Sequence, residues 1–247
     1  MIYGAVHVGQ LDEFAERGYV VVPQVVSQDL VGAASRAIGE LIESAPHGPD
    51  VRGPHFYFPR TAQTPSLAAL LMDSPAFTTA ESLTGIGSLE VPWQAQVALN
   101  VPPFPAVPGW HHIDGFPPEA DGRPGTFTML AGVLMSDQLG DDAGNLWVWP
   151  GSHLAHSEYF REHGPDAFFE ARGYPPIQPS RAEQVRGRAG DLLLAHYLLG
   201  HNIGSNTSEA TRRAVYFRIK RTGHDSRWRE FLQDPWLDYD AVRDVVD

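Results

Sequence analysis

Apolar positions keep a helical spacing over the first third of the chain and change to short strand-like runs from about residue 88. The segment "LDEFAERG" predicts a short helix closed by Gly18, and the β-branched run "YVVVPQVV" after it predicts a strand. Ser27 then offers an N-cap, from which "QDLVGAASRAIGELIES" places Leu30, Val31, Ala34, Ala37, Ile38, Leu41 and Ile42 on one helical face. Residues 45–62 carry four prolines and two glycines among aromatic side chains, and predict an irregular loop able to order over a ligand. "SLAALLMD" and "SPAFTTAESLTG" predict two further helices, the second with Ser74 as N-cap, Pro75 at its first position and Gly85 past its end. Short strands follow at "LEVPWQAQVALNV", "FTMLAGVLMSD", "LWVWP", "DLLLAHYLL" and "AVYFRIKR", separated by Gly, Pro and Asp turns. Helices first and strands later imply a mainly β fold, a sandwich or jelly roll buttressed on one face by the N-terminal helices. The aromatic, partly helical "SRWREFLQDPWLDY" closes one end, and residues 1–247 read as one domain.

Composition narrows the possible partners. The 30 acidic residues outnumber the 18 basic ones, and a net charge of -12 repels phosphate backbones and anionic membranes. Nucleic acid and membrane surfaces are therefore not expected partners. The absence of cysteine excludes disulfides, thiolate metal sites and a cysteine nucleophile together. Any metal must sit on nitrogen and oxygen. The opening "MIYGAVHVGQLDEF" does not read as a leader, and no run of about 18 apolar residues could span a bilayer, so a soluble cytoplasmic protein is expected.

The stretch "VPGWHHIDGF" raises the question of which histidine carries chemistry. In a strand, residues i and i+2 project from one face and i+1 from the other, so His112 and Asp114 can hold one ion together while His111 points away with Ile113. The spacing alone is weak, since chance supplies about one such pair in a chain of this composition. His156 and Glu158 in "HLAHSEYF" repeat it. More weight comes from "GDLLLAHYLLGHNIGSNTSEATRRAVYFRIK", where His201 arrives at the end of an apolar strand before a polar turn. A histidine there, facing the His-x-Asp pair, would complete two imidazoles and one carboxylate. That set leaves coordination positions open, as non-haem Fe(II) oxygen chemistry requires.

Together "FAERGYVVVPQVVS", "WHHIDG", "GDDAGNLWVWPGSH" and "GDLLLAHYLLGHNIGSNTSEATRR" occur in an order that resembles the phytanoyl-CoA dioxygenase family of Fe(II)/2-oxoglutarate-dependent oxygenases. The likeness covers nearly the whole chain, and the "GNLWVWPGSH" element is its most specific part outside the ligands. The resemblance implies a double-stranded β-helix core, cupin-like, and iron ligands at His112, Asp114 and His201. It implies 2-oxoglutarate as co-substrate, decarboxylated with O2 to succinate and CO2 while an unactivated C–H bond of a small molecule is oxidised, hydroxylation being the expected outcome. An arginine beyond the second histidine binds the distal carboxylate of 2-oxoglutarate in the family, and Arg212 and Arg213 both qualify. A guanidinium suits the task because its planar fork gives a carboxylate two parallel hydrogen bonds. Family spacing favours Arg212, while strand alternation leaves the choice open. Gln94 and Asn100 sit where some members place amides near the co-substrate and iron, or are strand amides bonded to backbone. Ile203 stands where relatives often carry a small hydroxyl residue. The intact His-x-Asp argues against halogenation, because halogenating relatives lack that carboxylate.

Other candidates are assigned by placement. His111 reads as a group supporting the ligands or facing substrate, or as a surface histidine; His196 as structural; His153 as support for a ligand; Trp147 and Trp149 as core. His55, Tyr57 and Arg60 of the 45–62 loop are the candidate substrate contacts. Two rivals remain: a jelly-roll binding protein without redox activity, and a cupin-like metal-dependent isomerase or hydrolase. Neither needs a carboxylate clamp beside the metal. Native substrate, reaction outcome and oligomeric state are not written in these motifs.

Overall fold

The computed structural model describes residues 6–107 and 109–246; Pro108, Asp247 and residues 1–5, the start of the stretch read above as no leader, lie outside the described residues. The N-terminal helices form where the apolar spacing places them. Helix α1 (Val8–Arg17) stops because Gly18 takes φ 79°, and its N–H bonds the Phe14 carbonyl at 2.8 Å. Strand β1 (Tyr19–Val22) follows, then α2 (Gln28–Ser44), whose first turn is capped by Ser27 Oγ accepting the Leu30 N–H at 3.4 Å. Val31, Ala34 and Ile38 form its buried stripe. Helices α3 (Pro65–Met72) and α4 (Ala76–Thr84) come next; Ser74 Oγ accepts the Ala76 N–H at 3.1 Å, so α4 starts one residue later than expected.

The segment 45–62 departs from the expected loop. Residues Gly53–Tyr57 form strand β2, which pairs with β3 (Gln96–Val101) in the register Gly53 to Val101 and Tyr57 to Val97. Pro54 is tolerated there because β2 is the edge of its sheet and has a neighbour on one side only.

The remaining elements are β4 (Met129–Leu134), β5 (Leu146–Val148), α5 (Ser152–His163), α6 (Ala167–Ala171), β6 (Glu183–Gln184), β7 (Leu192–His196), β8 (His201–Ile203), β9 (Arg212–Ile219), α7 (Trp228–Gln233) and α8 (Asp240–Val246). They build two antiparallel sheets, a larger one in the order β1-β7-β4-β9-β3-β2 and a smaller one in the order β6-β5-β8, which an isolated bridge between His112 and His201 extends. Strands adjacent in space and distant in sequence are the signature of a jelly roll, and the core is the mainly antiparallel double-stranded β-helix expected. Alternation along β9 divides its roles. Val215, Phe217 and Ile219 join Ile38 of α2, Leu67, Leu70 and Leu71 of α3 and Leu83 of α4 in one apolar core, while Arg212, Tyr216 and Arg218 face the space between the sheets. No helix among the described residues is long and apolar enough to cross a membrane.

Several histidines are structural. His196 is buried and its Nε2 bonds the Pro235 carbonyl at 2.7 Å, tying β7 to the C-terminal segment as the sequence suggested. His153 does not support a ligand; its Nε2 bonds the Ala15 carbonyl at 3.1 Å and its ring packs against Gly18, so it anchors α1. His156 lies in α5 and bonds the Leu198 carbonyl at 2.7 Å. On a helix Glu158 projects about 200° away from it, and the second His-x-acid pair is no site.

Burial pushes His156 and His196 down to about 3. Between pH 6.5 and 3 the unfolded chain therefore binds protons that the folded chain refuses, and stability must fall as pH drops through that window. At pH 5 each histidine costs about 2 kcal/mol, or roughly 10 °C of thermal midpoint for the pair. Calorimetry of chelated protein at pH 7 and pH 5 measures this, and His196→Gln should recover about 2 kcal/mol of the stability lost at pH 5.

Candidate metal and carboxylate site

A cavity of about 280 Å³ opens between the two sheets. Its floor carries His112, Asp114 and His201, whose ligating atoms all lie within 4.8 Å of one another. The imidazoles are held by main chain: His112 N–H donates to the His201 carbonyl at 3.1 Å, and His201 N–H donates back at 3.0 Å. His201 Nδ1 donates to the Leu199 carbonyl at 3.0 Å, which leaves Nε2 as the acceptor facing the cavity. Asp114 Oδ1 stands 3.8 Å from each histidine Nε2. Asp114 itself lies on a bend just beyond the bridge, so the segment keeps the i, i+2 side-chain geometry without being a regular strand.

His111 projects away, as alternation requires, and is neither on the surface nor in the cavity. It is buried, with its ring 5.6 Å from Trp149 and 5.2 Å from His156. Trp147 and Trp149 are buried core residues.

The protonation states suit a cation. Burial, then the neighbouring His201, pushes His112 down to about 4, so its imidazole is neutral and its lone pair free at neutral pH. Burial alone would raise the Asp114 carboxyl, but Arg218, then His201 and His112, outweigh it and hold the group below the usual carboxylate range. Two imidazole nitrogens, the His112 one neutral, and one ionised oxygen on one side of an open cavity are a donor set fit for Fe(II).

The same cavity holds Arg212. The side chain is buried; its Nε donates to Gln138 Oε1 at 3.0 Å and its Nη2 to Tyr216 Oη, and among the described residues no carboxylate pairs with it. A buried guanidinium without a counter-ion is costly unless a ligand supplies one. Gly144 takes φ 83° directly against it, and a Cβ there would lie 2.6 Å from Arg212 Cβ, which explains the first glycine of "GNLWVWPGSH". Arg213 faces away from the cavity, with its N–H on Ser136 Oγ at 3.0 Å. The parity that the sequence left open is thus set by the structure.

Asn100 lines the cavity; its Nδ2 donates to the Gly204 carbonyl at 2.8 Å, and its buried Oδ1 has no protein partner. Gln94 lies outside it, bridged to Arg60 and donating to the Phe58 carbonyl at 3.3 Å. Gln96, two residues on, is the amide that reaches the cavity wall. The predicted contacts His55, Tyr57 and Arg60 are also replaced. On a strand, alternation turns Pro54 and Phe56 inward, followed by Phe58, while His55 and Tyr57 pack on each other 4.9 Å apart. The alternation in "GPHFYFPR" carried that information, but the prolines masked it. Ile203 lines the cavity beside His201.

A jelly roll that gathers a two-histidine, one-carboxylate set beside a buried, unpaired arginine belongs to the non-haem iron, 2-oxoglutarate-dependent oxygenases. Within that class the chain is a member of the phytanoyl-CoA dioxygenase family, whose profile matches residues 14–214. Among solved structures, HygX from Streptomyces hygroscopicus with nickel and 2-oxoglutarate bound is similar at 20% identity, covering 89% of this chain and 88% of its own with a TM-score of 0.63. SnoK, a non-haem α-ketoglutarate-dependent carbocyclase from nogalamycin biosynthesis, shares 24% identity over 90% of each chain with a TM-score of 0.61. SnoN, an epimerase of the same pathway, shares 25% identity over 87% of this chain and 83% of its own, with a TM-score of 0.58. No curated protein sequence matches the chain significantly.

Proposed function

We propose that the protein binds Fe(II) through His112, Asp114 and His201, anchors the distal carboxylate of 2-oxoglutarate on Arg212, and hydroxylates an unactivated C–H bond of a small molecule. The observation that carries this reading is the buried, carboxylate-free Arg212 in the same cavity as the triad. Neither a structural metal site nor a cupin-like isomerase needs that clamp. Iron bound there would supply oxygen activation coupled to decarboxylation of 2-oxoglutarate to succinate and CO2. The chain's own task is positional. Gln138 and Tyr216 fix the plane of the Arg212 fork, the mutual backbone bridge fixes the two imidazoles, and Asn100 Oδ1 offers an acceptor to a bound group. Phe56, Leu130, Leu146 and Ile203 give the cavity an apolar wall that limits water and leaves room for a small organic substrate. Carbocyclisation and epimerisation, the activities of the neighbours SnoK and SnoN, would require the same residues.

Anaerobic titration of the apo-protein with Fe(II) and 2-oxoglutarate tests the reading. The expected result is the weak visible charge-transfer band of a chelated 2-oxo acid, followed by succinate after an oxygen pulse. Fe(II) binding without the band favours the isomerase reading, and no binding favours a non-redox jelly-roll binder.

A further inference from the structure

Resting on that reading, we infer that Arg218 is a positioning residue that limits Asp114 to one ligating oxygen. Nε and Nη2 of Arg218 both donate to Asp114 Oδ2, at 3.0 and 2.8 Å. Two charge-assisted bonds on a single oxygen fill both of its lone-pair directions. Only Oδ1 is then offered to the histidines, and it is Oδ1 that stands 3.8 Å from each Nε2.

The need for such a clamp follows from where Asp114 sits. The two histidines are fixed by reciprocal backbone hydrogen bonds, whereas Asp114 lies on a bend before Gly115, whose φ of 102° lets the chain turn away. Tyr197 Oη donates to the Asp114 carbonyl at 2.9 Å, which holds the backbone but not the carboxylate. Side-chain orientation is set from the opposite sheet. Arg218 lies on β9, a strand with neighbours on both sides, in register with Leu130 of β4, and its guanidinium rests over the Phe127 ring at 5.7 Å. A rigid strand thus determines the angle of a carboxylate carried on a bend.

The consequence is a count of open positions. A carboxylate bound through both oxygens takes one more place on an octahedral ion, and 2-oxoglutarate and O2 need three between them. By holding Oδ2, Arg218 keeps that third place free.

Mn(II), which occupies carboxylate and imidazole sites and reports its exchangeable waters through proton relaxation, is the probe. The parent protein loaded with Mn(II) alone should show the relaxivity of three waters. Arg218→Met, similar in length and uncharged, should lose about one third of it as Oδ2 joins the ion, while Arg218→Lys, which keeps a charged donor at Oδ2, should stay near the parent value. A packing role alone would leave the water count unchanged in all three. An Arg218→Met protein that binds Mn(II) with the parent's relaxivity overturns this inference and leaves the proposed function standing. If Arg218→Met does not fold, Arg218→Leu, also without a donor for Oδ2, is read in the same way: loss of about one third supports the clamp, and the parent's relaxivity overturns it. A parent protein that binds no Mn(II) or Fe(II) overturns the functional reading, and this inference with it.

Discussion

Alanine at His112, Asp114 or His201 is expected to abolish Fe(II) binding, with apparent affinity falling more than about 100-fold in each case, while His111→Ala keeps it within a few-fold. Loss of a group that merely supports a ligand costs 10- to 100-fold, so loss of one of three ligands must cost more. The contrast between adjacent histidines makes this a test of geometry. His112 faces the cavity with its ligating atom within 4.8 Å of the Asp114 and His201 donors, whereas His111 is packed between Trp149 and His156 on the far side of the backbone. His111→Ala carries its cost in stability, because it leaves a void beside a buried indole. Equilibrium binding under anaerobic conditions, with a thermal melt on each variant, separates the two costs. A folded His111→Ala protein that loses iron as completely as His112→Ala would overturn the assignment of the two histidines to opposite faces.

How much of this was legible in the sequence depended on whether one local period governed the segment. Helix α2 could be read almost to the residue because Val31, Ala34 and Ile38 keep a strict 3.6-residue spacing after a serine cap. The triad was legible because alternation survives on the short bridged segment around His112. Strand β2 was not, since four prolines outweighed the alternation of Phe56 and Phe58 with His55 and Tyr57, and only pairing with β3 makes an edge strand tolerate Pro54. Read as a loop, the segment gives no face, and only its pairing as a strand turns Phe56 rather than His55 and Tyr57 to the cavity. Gln138 and Arg218 were invisible for a different reason. Each acts on a residue 74 or 104 positions away in sequence, and no local pattern encodes that closure. The alternation in "RRAVYFRIK" did place Arg212, Tyr216 and Arg218 on one face, but deciding which face met the cavity required the helices to be seen covering Val215 and Phe217.

That face assignment has the second large consequence. Arg212→Ala is expected to raise the KM for 2-oxoglutarate by about 100-fold, the equivalent of roughly 3 kcal/mol for loss of a buried, charge-assisted pair, while Arg213→Ala changes it less than about twofold. Arg212→Lys should recover only part of the loss, because an ammonium cannot reproduce the two parallel bonds of the fork, and Gln138 and Tyr216 are placed to orient a plane and not a point charge. Gln138→Leu offers an independent check. It removes the acceptor at 3.0 Å that fixes the guanidinium plane and should raise KM by about tenfold with the charge intact. Initial rates of succinate formation at varied 2-oxoglutarate, with Fe(II) saturating, give the constants. If Arg213→Ala had the larger effect, the co-substrate's carboxylate would have to lie on the helix-covered face of β9, where the structure packs Val215, Phe217 and Ile219 into the core and leaves it no room.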